Sequence, residues 1–246
     1  MRIYRLQIRI IQLSVFLAVI VLAVGAFNIW PGKTSEPAGG SPAAQNGSSI
    51  NNPAPTGEPS TGNSPDELAN TKIVCIGDSY TYGYPGEQAD SWPRVMAGIL
   101  KIEVINAGVV YQNSDDLLQR FDQDVVSQEP GRVVIFAGVG DAIRGIELEV
   151  YQKNLKAMVE KAEENNIKPI LVLPLPYPGT ETLHEQYLEW EIAFAQEKNL
   201  QVLDFKQVLF DSQGKMLREY SDDGKYPNKE GYEAMGQYAA QELQSD

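Results

Sequence analysis

The segment Lys72-Ile73-Val74-Cys75-Ile76-Gly77-Asp78-Ser79-Tyr80 runs a short, β-branched apolar stretch straight into a glycine and a polar turn. An apolar run without alternation predicts a strand covered on both faces, as strands of a parallel sheet are. The same pattern recurs downstream. Glu103–Asn106 leads into Ala107-Gly108, and Arg132–Ala137 leads into Gly138-Val139-Gly140-Asp141. With Lys72–Ile76, Pro169–Leu175 and Gln201–Asp204, these make five predicted strands. Between and after them, Ser91–Leu100, Ser114–Ser127, Leu148–Asn165, Glu181–Lys198 and Lys229–Leu243 read as helices, and Ser114 with Asp115 and Asp116 makes an acidic helix start. Alternating strand and helix predicts an α/β domain over 71–246, a parallel sheet with helices on both faces. In such sheets function gathers after the carboxyl ends of the strands. A further polar cluster, Ser221-Asp222-Asp223-Gly224-Lys225-Tyr226-Pro227-Asn228, precedes the last helix.

Upstream the character changes. Residues 31–70 are rich in Pro, Gly, Ser, Asn, Thr and Ala without apolar periodicity, the composition of a disordered linker. Before it, Arg2, Arg5 and Arg9 mark a basic segment, 1–9, expected in the cytoplasm. Ile10–Trp30 is an apolar run that would reach about 30 Å as a helix, enough to cross a hydrocarbon core. Its length favours a transmembrane anchor over a signal segment cleaved near Ala23-Val24-Gly25. Either reading carries the domain out of the cytoplasm, on a single-pass anchor or secreted. The lone cysteine, Cys75, lies too far downstream to carry a lipoprotein anchor.

Composition narrows the function. Of the 246 residues, 20 are Lys or Arg and 33 Asp or Glu, a formal charge of −13. So acidic a chain lacks the electrostatic footprint of a nucleic-acid binder. One cysteine excludes an intramolecular disulfide and a cysteine-rich zinc site. One histidine, His184, excludes every mechanism that needs two.

Four segments in order, Ile76-Gly77-Asp78-Ser79, Asn106-Ala107-Gly108, Phe136-Ala137-Gly138-Val139-Gly140-Asp141 and Asp223-Gly224-Lys225-Tyr226-Pro227-Asn228, together with Ser91-Trp92-Pro93 and Gly231-Tyr232, resemble the SGNH or GDSL family of serine ester hydrolases. The likeness is to its lysophospholipase and thioesterase-like bacterial branch. The resemblance implies a three-layer α/β/α, flavodoxin-like fold with a five-stranded parallel sheet and no metal or organic cofactor. It implies Ser79 as nucleophile and an oxyanion hole of the Ser79 and Gly108 backbone N–H groups. The family's third oxyanion donor is an asparagine, and Gly140 stands at its position. The family's acid and base stand as Asp-x-x-His, and here Asp223 is followed by Tyr226 at the histidine position. The ligand expected is a small acyl or acetyl ester, of lipid or envelope glycan.

The two replacements bear on mechanism. A serine hydroxyl needs a base with a pKa near working pH, whereas a phenol near 10 is about one part in a thousand ionised at neutrality. Losing a triad member costs about 10⁴–10⁶ in rate and losing one oxyanion donor about 10²–10³, not additively. Two functions follow, an ester hydrolase of weak or altered activity, and a non-catalytic descendant binding a glycan, acyl chain or protein. In the second, Tyr226 fills the histidine's space and Gly140 widens the pocket. His184, in the loop and helix start after the fourth strand, could reach the site, but between Leu183 and Glu185 it reads as an exposed helical residue. Lys225, beside Tyr226, offers another route by lowering the phenol's pKa. Tyr80 and Tyr82 either hold substrate or pack on the core. Asp78 reads as the residue that fixes the serine turn. A flavodoxin-like FMN carrier, suggested by Ser79-Tyr80-Thr81-Tyr82-Gly83, is set aside on the later segments and on export to a compartment poor in flavin.

Overall fold

The computed structural model describes residues 70–244. The basic segment 1–9, the apolar run 10–30 and, except for Asn70, the linker 31–70 lie outside them. No helix among the described residues is long and apolar enough to cross a membrane.

Five parallel strands, β1 (Ile73–Gly77), β2 (Val104–Gly108), β3 (Arg132–Phe136), β4 (Lys168–Val172) and β5 (Gln201–Leu203), form one sheet in the order β2-β1-β3-β4-β5. Ile73 of β1 aligns with Val104 on one side and Arg132 on the other, so Gly77, Gly108 and Phe136 end level. The chain passes from β1 out to β2 and returns to β3 on the far side of β1. That reversal opens a crevice above the carboxyl ends of β1 and β3, where ligands bind in open α/β sheets.

Successive side chains of each strand point to opposite faces, and both faces are covered. Ile73, Cys75, Val134, Phe136, Ile170 and Val172 pack against Trp92 and Met96 of α2 (Trp92–Leu100) and Tyr232, Met235 and Ala239 of α8 (Lys229–Gln244). Val74, Ile76, Val133, Ile135 and Leu171 meet α3 (Ser114–Asp124), α5 (Leu148–Glu164) and α6 (Glu181–Lys198) through Leu117, Phe121, Leu155, Met158, Tyr187 and Phe194. Each side chain of this size contributes about 1.5–3 kcal/mol when fully buried. Cys75 is part of that core, and burial pushes its thiol well above the ordinary range.

Three short helices go beyond the predicted elements: α1 (Ser79–Tyr82), α4 (Val139–Arg144) and α7 (Lys206–Leu209). None is long enough to show a helical period. The first starts because the Asp78 carboxylate accepts the Tyr80 N–H at 2.9 Å. The fourth strand is shorter than Pro169–Leu175, although Leu173 N–H still donates to the Leu203 carbonyl beyond its end.

Candidate active site

Ser79 stands at the head of α1, over the crevice between β1 and β3, and is 4% exposed. Its Oγ accepts a hydrogen bond from the backbone N–H of Tyr111 at 2.9 Å. Tyr111 lies in the loop after β2 with φ +65°, a left-handed backbone that a tyrosine adopts only at a cost. Three contacts hold it there. Its carbonyl accepts from the Arg144 guanidinium, its ring meets Tyr84 edge-on at 5.5 Å, and its N–H is on Ser79. Arg120 braces the same loop from below, donating to the carbonyls of Gly77 and Ala107 and to the Gln112 side chain at 2.6–3.0 Å.

Sequence reasoning had no signal for Tyr111 and pointed to Gly108 instead. The Gly108 N–H is engaged by Asn106 Oδ1 at 2.8 Å. Glycine is needed at 108 for another reason: a Cβ there would lie 2.2 Å from the Tyr82 nitrogen, so its absence lets α1 pack on β2. Asn106 completes this contact through Nδ2, which donates to the Thr81 carbonyl and to Ser91 Oγ, both at 2.9 Å.

Gly140 departs further from expectation. It does not widen a pocket, because a Cβ at 140 would come within 1.9 Å of the Gln112 carbonyl oxygen. The loop after β2 sits in the space an asparagine side chain would need. The Gly140 N–H is also taken, donating to Asp78 Oδ2 at 3.2 Å.

Beneath these groups lies a buried polar frame. Asp78 accepts from Tyr80 and Gly140 N–H groups, and burial raises its pKa to about 7 despite those bonds, with the Asp141 charge adding to the rise. Asp141, fully buried, accepts from Ser114 N–H, Ser114 Oγ and Gly138 N–H, while Asn154 donates to Ser114 Oγ at 3.0 Å. Burial raises the Asp141 carboxyl as well, and the Ser114 and Gly138 bonds offset part of that rise.

The loop 221–228 is built differently. The exposed Asp223 carboxylate accepts from the N–H groups of Lys225 and Tyr226 at 2.8 and 2.9 Å and from Ser221 Oγ at 3.3 Å. Its slight burial works upward, but those donors outweigh it and hold the carboxyl below its ordinary value. Asp223 thus organises its own turn. Tyr226 is half-buried, in edge contact with Tyr84 at 4.8 Å and Tyr177 at 5.8 Å. Burial first, then its bond with Tyr177 and the nearby phenols and Asp78, drive its phenol far above the ordinary value. Lowering by Lys225 is not what the fold provides, since burial, Tyr177, Asp78 and Tyr111 all push the phenol upward.

Tyr80 and Tyr82 separate. Tyr80 is fully buried, its hydroxyl donating to the Lys225 carbonyl and its ring tilted against Phe136 and Tyr226, so it joins the core rather than a binding surface. Tyr82 is half-buried at the end of α1. His184 is a further correction: it is buried, not exposed, because its position on α6 turns it inward beneath the loop after β4. Its Nε2 bonds the Pro174 carbonyl at 3.0 Å, which requires the proton on Nε2. Burial lowers its pKa, only partly offset by that bond, so the ring is neutral at pH 7. Among the described residues no three His, Cys, Asp or Glu side chains gather as a metal-ligating group.

The assembly offers a buried serine with one backbone donor on its oxygen, no imidazole hydrogen-bonded to it, and a filled slot where a side-chain donor would stand. Comparison with known proteins gives this arrangement its relatives. A solved protein of the G-D-S-L lipolytic family from Desulfitobacterium hafniense DCB-2 is 51% identical, covers 71% of this chain and 100% of its own, and superposes with a TM-score of 0.70. An arylesterase from Vibrio mimicus is 24% identical over 183 residues, 71% of this chain and 89% of that protein. Thioesterase 1/protease 1/lysophospholipase L1 of Escherichia coli (strain K12) is 23% identical over 177 residues, 70% of this chain and 83% of that protein. The sequence model of the GDSL-like lipase/acylhydrolase family matches residues 75–234, and with the five-stranded parallel sheet and its switch-point serine the chain belongs to that family.

Proposed function

We propose that this protein is a membrane-tethered, extracytoplasmic ester hydrolase of the GDSL type, acting slowly on acyl or acetyl esters of lipid or envelope glycan. The observation that carries the reading is the 2.9 Å bond from the Tyr111 N–H to Ser79 Oγ. A backbone N–H within reach of the nucleophile is placed to turn to the substrate's carbonyl oxygen beside it, where a tetrahedral intermediate gathers charge. Ser79 Oγ attacks the ester carbonyl as its proton passes to water, and the C–O bond to the alcohol breaks with the leaving oxygen taking a proton from water. A second water adds to the acyl-enzyme and releases the acid as Ser79 regains its proton. The Tyr111 N–H stabilises both tetrahedral intermediates, with Arg144 and Arg120 fixing the loop that presents it. The slowness follows from Tyr226 and Gly140. A phenol held above its ordinary pKa is ionised even less at neutral pH than a free one, leaving almost none in the basic form, and the Gln112 carbonyl faces the place of a missing donor. Tethering rests on the Ile10–Trp30 run and the composition of 31–70.

Gln112 favours a second reading, in which the crevice binds an ester or glycan without turning it over. Hydrolysis of a short and a medium nitrophenyl ester by the protein and its Ser79→Ala variant separates the two. A rate that falls to background with Ser79→Ala supports the hydrolase, and equal rates replace it with the binding module.

A further inference from the structure

A cleft of about 1160 Å³ opens between the start of α6 and the chain that follows α7. Neither Ser79, Tyr111, Gly140, Asp223 nor Tyr226 lines it, although Tyr177 and Ser221 form a wall shared with the Tyr226 loop. Its charges are unevenly distributed: Lys206, Lys215 and Arg218, with one acid, Asp222, come from the stretch between β5 and α8, whereas Glu181 and Glu185 come from the first two turns of α6. Among the described residues, none of these six side chains is in an ion pair. Three cations against three acids in one cleft are a local departure from a chain in which acids outnumber bases 33 to 20. Leu188 of α6 and Phe210 and Met216 of the opposite stretch add apolar lining.

His184, the chain's only imidazole, also lines the cleft. With its proton committed from Nε2 to the Pro174 carbonyl, the other ring nitrogen is a hydrogen-bond acceptor. The cleft therefore combines two carboxylates and an imidazole acceptor on α6, a net positive stretch opposite, and apolar side chains from both. An acceptor beside two carboxylates suits a primary ammonium, which has N–H groups to donate. A quaternary ammonium has none and is recognised by aromatic faces instead. The opposite wall suits a carboxylate.

We propose that this cleft is a binding site for a short peptide with free termini and apolar side chains, its ammonium toward Glu181, Glu185 and His184 and its carboxylate toward Lys206, Lys215 and Arg218. The site is separate from Ser79 and does not depend on hydrolysis there.

The test is titration of the full-length protein with the tripeptide Leu-Ala-Leu, followed by the ring ¹⁵N signals of the single histidine and by calorimetry. The expected result is saturable binding that moves the His184 Nδ1 resonance. Acetylating the amine and amidating the carboxylate should each weaken binding about tenfold, as should Arg218→Ala. Ser79→Ala should bind as the parent does. Equal binding of free and doubly blocked peptide, no binding at millimolar peptide, or loss of binding in Ser79→Ala overturns the proposal. So does saturation that leaves the His184 resonance unmoved.

Discussion

The two sides of the crevice are built to different standards. On the side of β1 and β3, the polar groups that shape the turns are buried and paired: Asp78 with Tyr80 and Gly140, Asp141 with Ser114 and Gly138, Asn154 with Ser114. On the side of 221–228, Asp223 is exposed and bonded to its own turn, and Tyr226 rests among aromatic rings. The first set holds strand ends and helix starts together, so the fold depends on it. The second set includes the positions where a hydrolase keeps its proton acceptor, and it can change without loosening the sheet. Frame and candidate chemistry are therefore held by different bonds.

The comparison is broken most forcefully at Asp141. Asp141→Ala strands the buried donors of Ser114 and Gly138 and should cost about 3–5 kcal/mol in denaturant unfolding. A loss below about 1 kcal/mol would mean the frame is not what holds the crevice. Asp78 sharpens the same point through pH. Its folded pKa of about 7 lies above the ordinary 3.8, so the folded state holds a proton that the unfolded state releases. The stability this group contributes is greatest below about pH 4 and is lost as pH rises toward 7, by at most about 1.4 kcal/mol per pH unit. Asp78→Asn should flatten that part of the pH-stability slope, read from unfolding midpoints at pH 5 and pH 7.5.

Gly140→Asn probes the join between the two sides. The new Cβ must push the Gln112 carbonyl aside, so unfolding should show a loss of about 1–3 kcal/mol. Hydrolysis should not rise, because the displaced loop carries the Tyr111 N–H away from Ser79. Tyr111→Gly should have the smallest effect. It relieves the left-handed backbone and forfeits the ring contact with Tyr84, so stability should change by less than about 1 kcal/mol. Ester hydrolysis should stay within about threefold, since the donor is backbone. A collapse of rate would give the tyrosine ring a role the geometry does not.

The sheet was legible because its strands are apolar on both faces and its helices are long enough to show a period. Ser79 and the turn-fixing Asp78 were legible because the Gly-Asp-Ser turn directly follows a strand. Tyr111 was not, since its left-handed backbone is imposed by Arg144, Tyr84 and Ser79, all about thirty residues away in the chain. Gly140 was misread for a similar reason: a glycine suggests space, and only the fold reveals that the Gln112 backbone fills it. On α6 the apolar pattern is blurred by Glu191, buried and accepting from the Tyr151 hydroxyl, and by the inward His184. Buried polar residues on a helix hide the face that local pattern would otherwise reveal.

The central claim is that Ser79 works without an imidazole base. Its most direct test is the pH dependence of Ser79-dependent ester hydrolysis from pH 5 to 9, measured for the protein, Tyr226→Phe and His184→Ala. The account predicts a rate that still climbs with pH above 7.5, with the same profile in all three proteins. A plateau above an inflection near pH 6.5 that His184→Ala abolishes, or a profile that Tyr226→Phe flattens, would contradict it.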